Sequence, residues 1–362
     1  MSQAERIAKV REYLKEHNVD ALLMSNYERK QTAFTIYYLT GFTGTHGHCI
    51  LLSDRAVFVT DSRYELQASS EVEHWEIHIL APFFEKFFAL LNTLGMKRIG
   101  VIAEQISWED VMNLEKRLTA PVEIVPLSNI IEEIGAIKDI FEVQKIRAAV
   151  RAIERALEQT YAKVRPGVTE LALNRVLRDA LPDGVEFSFP SIIASGTRSA
   201  IPHGRASDKA IERGDIVQFD VGCVVDGYAS DISRVVVVGK ATKKQKAMHR
   251  AVVHAIDEAV QFYRPGVATR EAHERAQQII TQHGFPEFGH GLGHGMGLDV
   301  HESPAVAATL SSTDVFQEGN VVTIEPGIYE EGYGGMRIER DVVITKTGNE
   351  YLDTLTTDLL EL

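Results

Sequence analysis

Short apolar runs alternate with helical patterns over the first third of the chain. The apolar runs are 21–25, 48–52, 56–60, 77–80 and 99–103. Amphipathic spacing predicts helices between or beside them, near 3–17, 83–95 and 107–118. Strands interleaved with helices are typical of a small α/β domain, which we predict over residues 1–128. A long helical pattern at about 139–164 then opens a second domain over 129–362.

The second domain contains an internal repeat. The tetrapeptide Arg-Pro-Gly-Val occurs at 165–168 and again at 264–267, each time between two helical patterns. The segment GDIVQFDVG at 214–222 aligns with GNVVTIEPG at 319–327, which lies 105 residues further along the chain. The order of elements and the acidic positions agree together, which favours duplication over chance similarity. We therefore predict an α+β domain built from two helix-helix-strand-strand halves about a pseudo-twofold axis.

Composition and charge exclude several classes of protein. With 44% hydrophobic and 25% charged residues among 362, the chain has no bias towards disorder. Its net charge of −13 argues against nucleic-acid binding, which needs clustered Lys and Arg. No run approaches the roughly 18 apolar residues of a membrane span, and Cys49 and Cys223 are too few for a disulfide framework. We expect a cytoplasmic protein without nucleic-acid or membrane partners.

Two carboxylates fall on a predicted hairpin in the first half of the repeat. Asp226-Gly227 is a strong two-residue turn signal between two apolar strands. If these residues form the turn, Asp220 faces Ser233 and lies diagonal to Asp231. Both carboxylates then leave the same face of the sheet, close enough to share a pair of metal ions.

The second half of the repeat supplies two more carboxylates. Glu325 aligns with Asp220, and Glu339 lies, like Asp231, near the start of the following strand. Four carboxylates converging in a core would repel one another unless cations compensate them. Two divalent ions would balance the four charges and acidify a bridging water. Ligands rich in carboxylate favour Mn²⁺, with Co²⁺ or Zn²⁺ as alternatives.

A glycine-rich segment at 288–303 offers a neutral imidazole to complete the ligand set. Its candidates are His290, His294 and His301. The segment matches neither G-x-x-x-x-G-K nor G-x-G-x-x-G after a strand, so a phosphate-binding loop is not supported. The chain also lacks H-E-x-x-H, which removes the usual single-zinc peptidase. The combination favours a hydrolase with two metal ions.

Together these motifs resemble the pita-bread metallopeptidases, the family of aminopeptidase P and prolidase. Five residues in their local motifs carry the resemblance: Asp220 and Asp231 eleven apart, His294 in H-G-x-G-H, Glu325 in E-P-G and Glu339 in R-I-E. The resemblance covers the whole chain, because the family also places a smaller α/β domain ahead of the catalytic one.

The resemblance implies a role for each of these five side chains. Asp220 would chelate one metal ion, while Asp231 and Glu339 would bridge both. His294 and Glu325 would complete the second metal site. Glu325 would also act as the proton shuttle for the bridging hydroxide.

Five further side chains match positions that the family uses around its metal ions. Three histidines would hold the substrate carbonyl and the developing oxyanion: His203, His290 and His301. Two residues would support the carboxylates: Tyr329 and Arg337. One departure follows Glu339, where Arg340 replaces an acidic residue common in the family and leaves the charge at the rim of the site open.

The chemistry implied by the resemblance is hydrolysis of the bond before proline, whose tertiary amide has no N–H and restricts the preceding residue. Aminopeptidase P removes the first residue from peptides with proline second, whereas prolidase cleaves only the dipeptide. The segments at 38–47 and 60–64 look more like short bacterial aminopeptidase P sequences. We therefore expect an Xaa-Pro aminopeptidase acting on short proline-containing peptides, with Xaa-Pro dipeptidase as the alternative.

Other pita-bread proteins fit the sequence less well. Non-catalytic binding proteins of this fold have lost their metal ligands, whereas this chain keeps all five. Methionine aminopeptidase normally lacks the N-terminal α/β domain, and creatinase-like enzymes use the fold without this metal set. Relatives form dimers or tetramers, so the resemblance also implies a homo-oligomer.

Overall fold

The computed structural model describes residues 2–27, 30–308 and 314–362. The chain forms two compact units, Met1–Gly135 and Ala136–Leu362. This division lies beyond the boundary expected at 128, because the short helix at 130–135 packs against the first helix of the chain. Over the described ranges, no helix combines the length and the apolar character needed to cross a membrane.

The first unit is a mixed sheet with helices around it. Its helices are α1 Gln3–Glu16, α2 Lys30–Thr40, α3 Glu65–Glu71, α4 Phe83–Thr93, α5 Trp108–Arg117 and α6 Ile130–Gly135. Its strands are β1 Ala21–Tyr27, β2 His46–Leu52, β3 Ala56–Thr60, β4 Glu76–Ile79, β5 Arg98–Ile102 and β6 Glu123–Leu127. The strand order is β4-β3-β2-β1-β5-β6, with β1 antiparallel to β2 and parallel to β5.

The predicted α/β domain is confirmed, and all five apolar runs are strands. The sequence pattern missed β6, which is an edge strand containing Pro126 and having only Leu127 fully buried. Proline and partial exposure are tolerated at an edge but weaken the sequence signal of a strand. The core of this unit lies between the sheet and helix α4, whose Phe87, Phe88 and Leu91 are buried.

Within its described residues, the second unit contains four long helices and a set of short, paired strands. Its helices are α7 Ile140–Tyr161, α8 Glu170–Ala180, α9 Lys243–Ala259 and α10 Thr269–Gln282. Strands of its first half, with the last strand of the chain, are β7 Glu186–Phe187, β8 Ile192–Ser195, β9 Ile216–Val221, β10 Cys223–Val225, β11 Tyr228–Ala229, β12 Ile232–Val237 and β20 Leu360–Glu361. Strands of its second half are β13 Gly293–Gly295, β14 Glu302–Val306, β15 Val321–Ile324, β16 Gly327–Glu330, β17 Gly334–Arg337, β18 Arg340–Thr345 and β19 Gly348–Tyr351.

The internal repeat is visible in the order of these elements. A helix pair, α7 and α8 or α9 and α10, precedes a long hairpin in each half, β9 to β12 or β15 to β18. The two Arg-Pro-Gly-Val loops are anchored in the same way. Gly167 N–H donates to the carbonyl of Ile211 at 2.9 Å, and Gly266 N–H donates to that of Phe316 at 2.8 Å. Since Ile211 and Phe316 are also 105 residues apart, the repeat extends from sequence to backbone contacts.

Two apolar cores stabilise the described part of this unit. One lies between helices α7 and α8 and the sheet containing β9 and β12. The other lies between helices α9 and α10 and the sheet containing β15 and β18. Each long hairpin therefore has one side fixed by packing on helices, and the predicted acidic ligands lie at the ends of its strands.

Candidate metal centre

The first hairpin forms with the predicted register. Asp226 and Gly227 both have positive φ, 49° and 81°, as a tight two-residue turn requires. Asp220 on β9 pairs with Ser233 on β12, and the same register holds from the turn to the far end of the hairpin. Asp231 lies just before β12, two residues from Ser233, so both carboxylates leave the same face.

The second hairpin brings its two glutamates opposite each other. Ile324 pairs with Arg340, and the register continues through β16 and β17, so Glu325 and Glu339 face each other where the ladder is interrupted. Glu339 also joins the two hairpins. Its N–H donates to the carbonyl of Ser233 at 3.1 Å, and its Oε2 accepts the Ser233 hydroxyl at 3.0 Å. The acidic side chains of the two halves therefore lie close together at a single site.

The glycine-rich segment carries His294 on β13, between β14 and β15. A Cβ at Gly293 would lie 2.1 Å from the carbonyl oxygen of Thr323, so only glycine allows the two strands to approach so closely. The backbone N–H of His294 donates to the Thr323 hydroxyl at 3.1 Å. Gly293 therefore allows the two strands to pack closely, and this packing places the His294 imidazole next to the carboxylates.

The imidazole of His294 is oriented as a metal ligand. Its Nδ1 lies 3.1 Å from the carbonyl oxygen of Gly295 and donates to it, which leaves the lone pair of Nε2 facing the carboxylates. Nε2 is 3.7 Å from Asp231 Oδ2 and 3.6 Å from Glu325 Oε1. Ligand atoms of Asp231, His294 and Glu339 lie within 4.8 Å of one another, a spacing that suits a metal ion.

Burial makes these carboxylates costly without a cation. Asp220, Asp231 and Glu339 are 7%, 5% and 1% exposed, and Asp231 Oδ1 has no hydrogen-bond partner among the described residues. Burial, and then repulsion between neighbouring carboxylates, raise the pKa of Asp231 and of Glu325 well above their usual range. The same causes raise the pKa of Glu339 to about 8. A donor set of buried carboxylates and one neutral imidazole fits divalent cations.

A chain of hydrogen bonds connects this acidic cluster to a second histidine. Arg337 contacts the carboxylate of Asp220 through Nη2 and donates from Nη1 to the Tyr329 hydroxyl at 2.7 Å. The Tyr329 hydroxyl is 3.0 Å from His290 Nε2, and His290 Nδ1 is 2.7 Å from the carbonyl oxygen of Gly291. Burial lowers the pKa of His290 to about 4 and raises that of Tyr329 to about 12, so both are neutral near pH 7.

All ten side chains singled out from the sequence line one cavity of about 880 Å³. They are Asp220, Asp231, His294, Glu325, Glu339, His203, His290, His301, Tyr329 and Arg337. His203 and His301 lie on loops and are exposed. The ring of His301 packs edge-on against that of His294, with centroids 4.4 Å apart. The buried cluster is thus reached through an open cavity whose wall carries further histidines.

One acidic residue beside the cluster was not anticipated. Asp341 is fully buried, and its Oδ2 accepts the backbone N–H of Asp231 at 3.4 Å. Burial, and then repulsion from Glu339, raise its pKa well above the usual range. The alternation of side chains along a strand places Asp341 on the same face as Glu339, and this signal could have identified it.

A buried network behind the cluster fixes the backbone of Glu339. Arg234 Nη1 donates to the carbonyl of Glu339 at 2.6 Å, and Nη2 donates to Asp353 Oδ2 at 2.6 Å. Asp353 also accepts from Arg340 Nε at 3.0 Å, and the Arg340 guanidinium lies over the ring of Tyr351. Arg340 therefore faces away from the cavity, so its charge is paired behind the site rather than placed at the rim. Contacts between such distant residues leave no local signal in the sequence.

The fold and the site define a class: a metallohydrolase with duplicated hairpins and a preceding α/β domain. The model of metallopeptidase family M24 matches residues 144–346, and that of the creatinase/prolidase N-terminal domain matches residues 6–137. The chain therefore belongs to metallopeptidase family M24, and the resemblance inferred from the sequence is confirmed.

Similar proteins match this chain over nearly its whole length. An Xaa-Pro dipeptidase of Pyrococcus horikoshii is 33% identical over 362 residues, covering 98% of this chain and 99% of the relative. The structure of an Xaa-Pro dipeptidase from Bacillus anthracis is 34% identical, covers 100% of both chains and has a TM-score of 0.92. That of an X-Pro aminopeptidase from Thermotoga maritima is 33% identical, covers 98% of this chain and 99% of its own, and has a TM-score of 0.87. The two-unit pita-bread architecture is thereby confirmed.

Proposed function

We propose that this protein is an Xaa-Pro dipeptidase that uses two divalent metal ions to hydrolyse the bond before proline. The observation that carries the proposal is the convergence of four carboxylates and one imidazole in a single cavity, with the ligand atoms of three of them within 4.8 Å. Similarity to Xaa-Pro dipeptidases over 98–100% of the chain supports the dipeptide as substrate. This reverses the preference for aminopeptidase P that segments 38–47 and 60–64 had suggested.

The proposed metal ligands are the five side chains inferred from the sequence: Asp220, Asp231, His294, Glu325 and Glu339. Their buried, oxygen-rich set favours Mn²⁺, with Co²⁺ or Zn²⁺ as alternatives. When bound, the two ions would lower the pKa of a bridging water and polarise the scissile carbonyl.

The remaining chemistry falls to side chains on the cavity wall. Glu325 would accept the proton of the attacking water and return it to the leaving proline nitrogen, as a carboxylate positioned next to that water can. His203 and His301, which are exposed on the wall, would donate hydrogen bonds to the substrate carbonyl and the developing oxyanion. Both ring nitrogens of His290 are already engaged, with Gly291 and Tyr329. We therefore assign His290 an orienting role rather than direct contact with substrate.

A comparison of peptides tests this proposal. The purified protein, supplied in turn with Mn²⁺, Co²⁺ and Zn²⁺, should hydrolyse Ala-Pro with a higher kcat/KM than Arg-Pro-Pro. A chelator should abolish both activities, and elemental analysis should find close to two metal ions per chain. Activity that is indifferent to the chelator, in a protein free of metal, would refute the mechanism.

Aminopeptidase P activity is the second candidate. The similarity to the X-Pro aminopeptidase of Thermotoga maritima, at nearly the same identity as the dipeptidases, favours it. Faster cleavage of Arg-Pro-Pro than of Ala-Pro would support this candidate over the dipeptidase.

A further inference from the structure

The wall of the cavity carries two cationic side chains among the described residues, Arg205 and Arg337. The two side chains differ in how many hydrogen bonds and ion pairs they form with other residues of the chain. The Arg337 side chain is 3% exposed and is engaged by Asp220, by the Tyr329 hydroxyl and by the carbonyl of Pro202. These contacts occupy the Arg337 guanidinium, so it is not available to a ligand that enters the cavity.

Arg205 has an anchored backbone and an uncommitted side chain. It forms a β-bridge with Ile192, and its carbonyl accepts from Arg198 Nη2 at 2.6 Å. Arg198 is in turn paired with the buried carboxylate of Glu170 at 3.2 Å. Arg205 is exposed, and its guanidinium has no hydrogen-bond or ion-pair partner in the described part of the chain. A fixed backbone with a free guanidinium is a favourable arrangement for receiving an anion.

The side chains around Arg205 suit the C-terminal proline of an Xaa-Pro dipeptide, which is the residue that follows the scissile bond. His203, proposed above to contact the substrate carbonyl, is two residues before it. Ile201, 51% exposed, and Phe189 add apolar surface to the same wall. The ring of proline is apolar, and its α-carboxylate lies only one residue beyond the bond that is cut. A carboxylate entering a cavity with four acids at its base needs a cation, and guanidinium binds carboxylate through two parallel hydrogen bonds.

We propose that Arg205 binds the free α-carboxylate of the proline residue and so selects dipeptides over longer peptides and amides. This inference rests on the proposed function, because it requires a substrate whose second residue is also its last. Arg205 then determines specificity rather than the chemical step, so its loss should raise KM and leave kcat little changed.

Hydrolysis of Ala-Pro and of Ala-Pro amide by three proteins tests the proposal: the unchanged protein, Arg205→Gln and Arg205→Lys. Arg205→Gln should raise KM for Ala-Pro about tenfold or more, as expected when a charged hydrogen bond is lost, and should leave KM for the amide unchanged. Arg205→Lys should recover part of the loss, because it keeps the charge but not the paired donors. Arg213→Gln is the matched control, since Arg213 is exposed in the same unit and is not part of the cavity wall.

A binding measurement separates this proposal from the proposed function. Calorimetry should show the unchanged protein binding proline more tightly than prolinamide, and Arg205→Gln binding the two alike. Equal preference for acid over amide in Arg205→Gln and in the unchanged protein, in binding or in KM, would overturn the role of Arg205. Failure to hydrolyse Ala-Pro, with the binding preference present and dependent on Arg205, would count against the dipeptidase reaction alone.

Discussion

The hydrogen bonds of two histidines distinguish the proposed metal ligand, His294, from the proposed orienting residue, His290. Burial lowers the pKa of both His290 and His294 to about 4, so charge does not distinguish them. The difference lies at Nε2, which in His294 points towards Asp231 and Glu325 and in His290 meets the Tyr329 hydroxyl. The sequence of the glycine-rich segment left both histidines as candidate metal ligands. The direction of each ring depends on contacts with residues far along the chain.

Glu325→Gln tests the proton transfer at residue scale. The amide keeps the size of the side chain and can still offer an oxygen to a metal ion, more weakly than the carboxylate, but it cannot accept and return a proton. With the variant saturated with Mn²⁺, kcat on Ala-Pro should therefore fall by about 10²-fold to 10⁴-fold. Glu330→Gln is the control, because Glu330 lies on the same hairpin and pairs with Lys244 outside the cavity wall. Circular dichroism should show both variants folded. A rate for Glu325→Gln close to that of Glu330→Gln would contradict the assignment.

At the scale of elements, the sequence predicted those features that neighbouring residues determine, such as the register of a hairpin. The turn at Asp226 and Gly227 fixed the register of the first hairpin, and with it the pairing of Asp220 with Ser233. The packing of the strand that carries His294 could not be predicted in the same way. Its neighbours are β14 and β15, and its register with β14 shifts next to His294. Such a shift depends on the fit between strands rather than on the sequence of one of them.

Another feature at this scale is the ion pair that anchors the loop before β14. Lys138 Nζ lies 2.7 Å from Glu302 Oε2, and the two side chains are only 1% and 12% exposed. Glu302 Oε1 accepts the backbone N–H of Asp299 at 2.9 Å, and His301 is the residue next to Glu302. The pair therefore links the segment before α7 to the loop that carries a proposed substrate-binding histidine.

Lys138→Met should destabilise the second unit by roughly 3–5 kcal/mol, because removing one partner leaves the other charge buried and uncompensated. Urea unfolding followed by circular dichroism measures the loss. Lys240→Met is the control, since Lys240 is 88% exposed in its pair with Glu361, and its loss should cost about 1 kcal/mol or less. Similar small losses in the two variants would show that the Lys138 pair does not anchor the loop.

At the scale of the whole molecule, the two-unit organisation and the duplication were both predictable. Strand and helix periods change along the chain, and the repeat of Arg-Pro-Gly-Val and of the acidic strands marks the halves. The network of Arg234, Asp353 and Arg340 was not predictable, because it joins side chains that meet only in the folded protein. The proposed metal ligands were therefore easier to identify from the sequence than the residues that hold them in place.

Because the proposed metal ligands all lie in the second unit, pH and metal ions should change the stability of that unit selectively. Without metal, Asp231, Glu325 and Glu339 keep protons in the folded state that they have lost in the unfolded state, since their pKa values are raised. The folded protein then binds more protons, so the free energy of unfolding decreases as pH rises. Histidines whose pKa burial lowers act in the opposite sense, but only below about pH 6.5, near the pKa of unfolded histidine.

The Tm of the metal-free protein should therefore fall between about pH 7 and about pH 8.5, across the raised pKa of Glu339. Mn²⁺ should raise Tm and reduce this fall, because it binds the ionised carboxylates of the folded state. Hydrogen exchange locates the effect: Mn²⁺ should increase protection in β9, β12, β15 and β18 and leave β1, β2 and β3 of the first unit unchanged. A metal-free Tm that rises over this pH range, or protection gained mainly in the first unit, would mean that the buried carboxylates are not the site of metal binding.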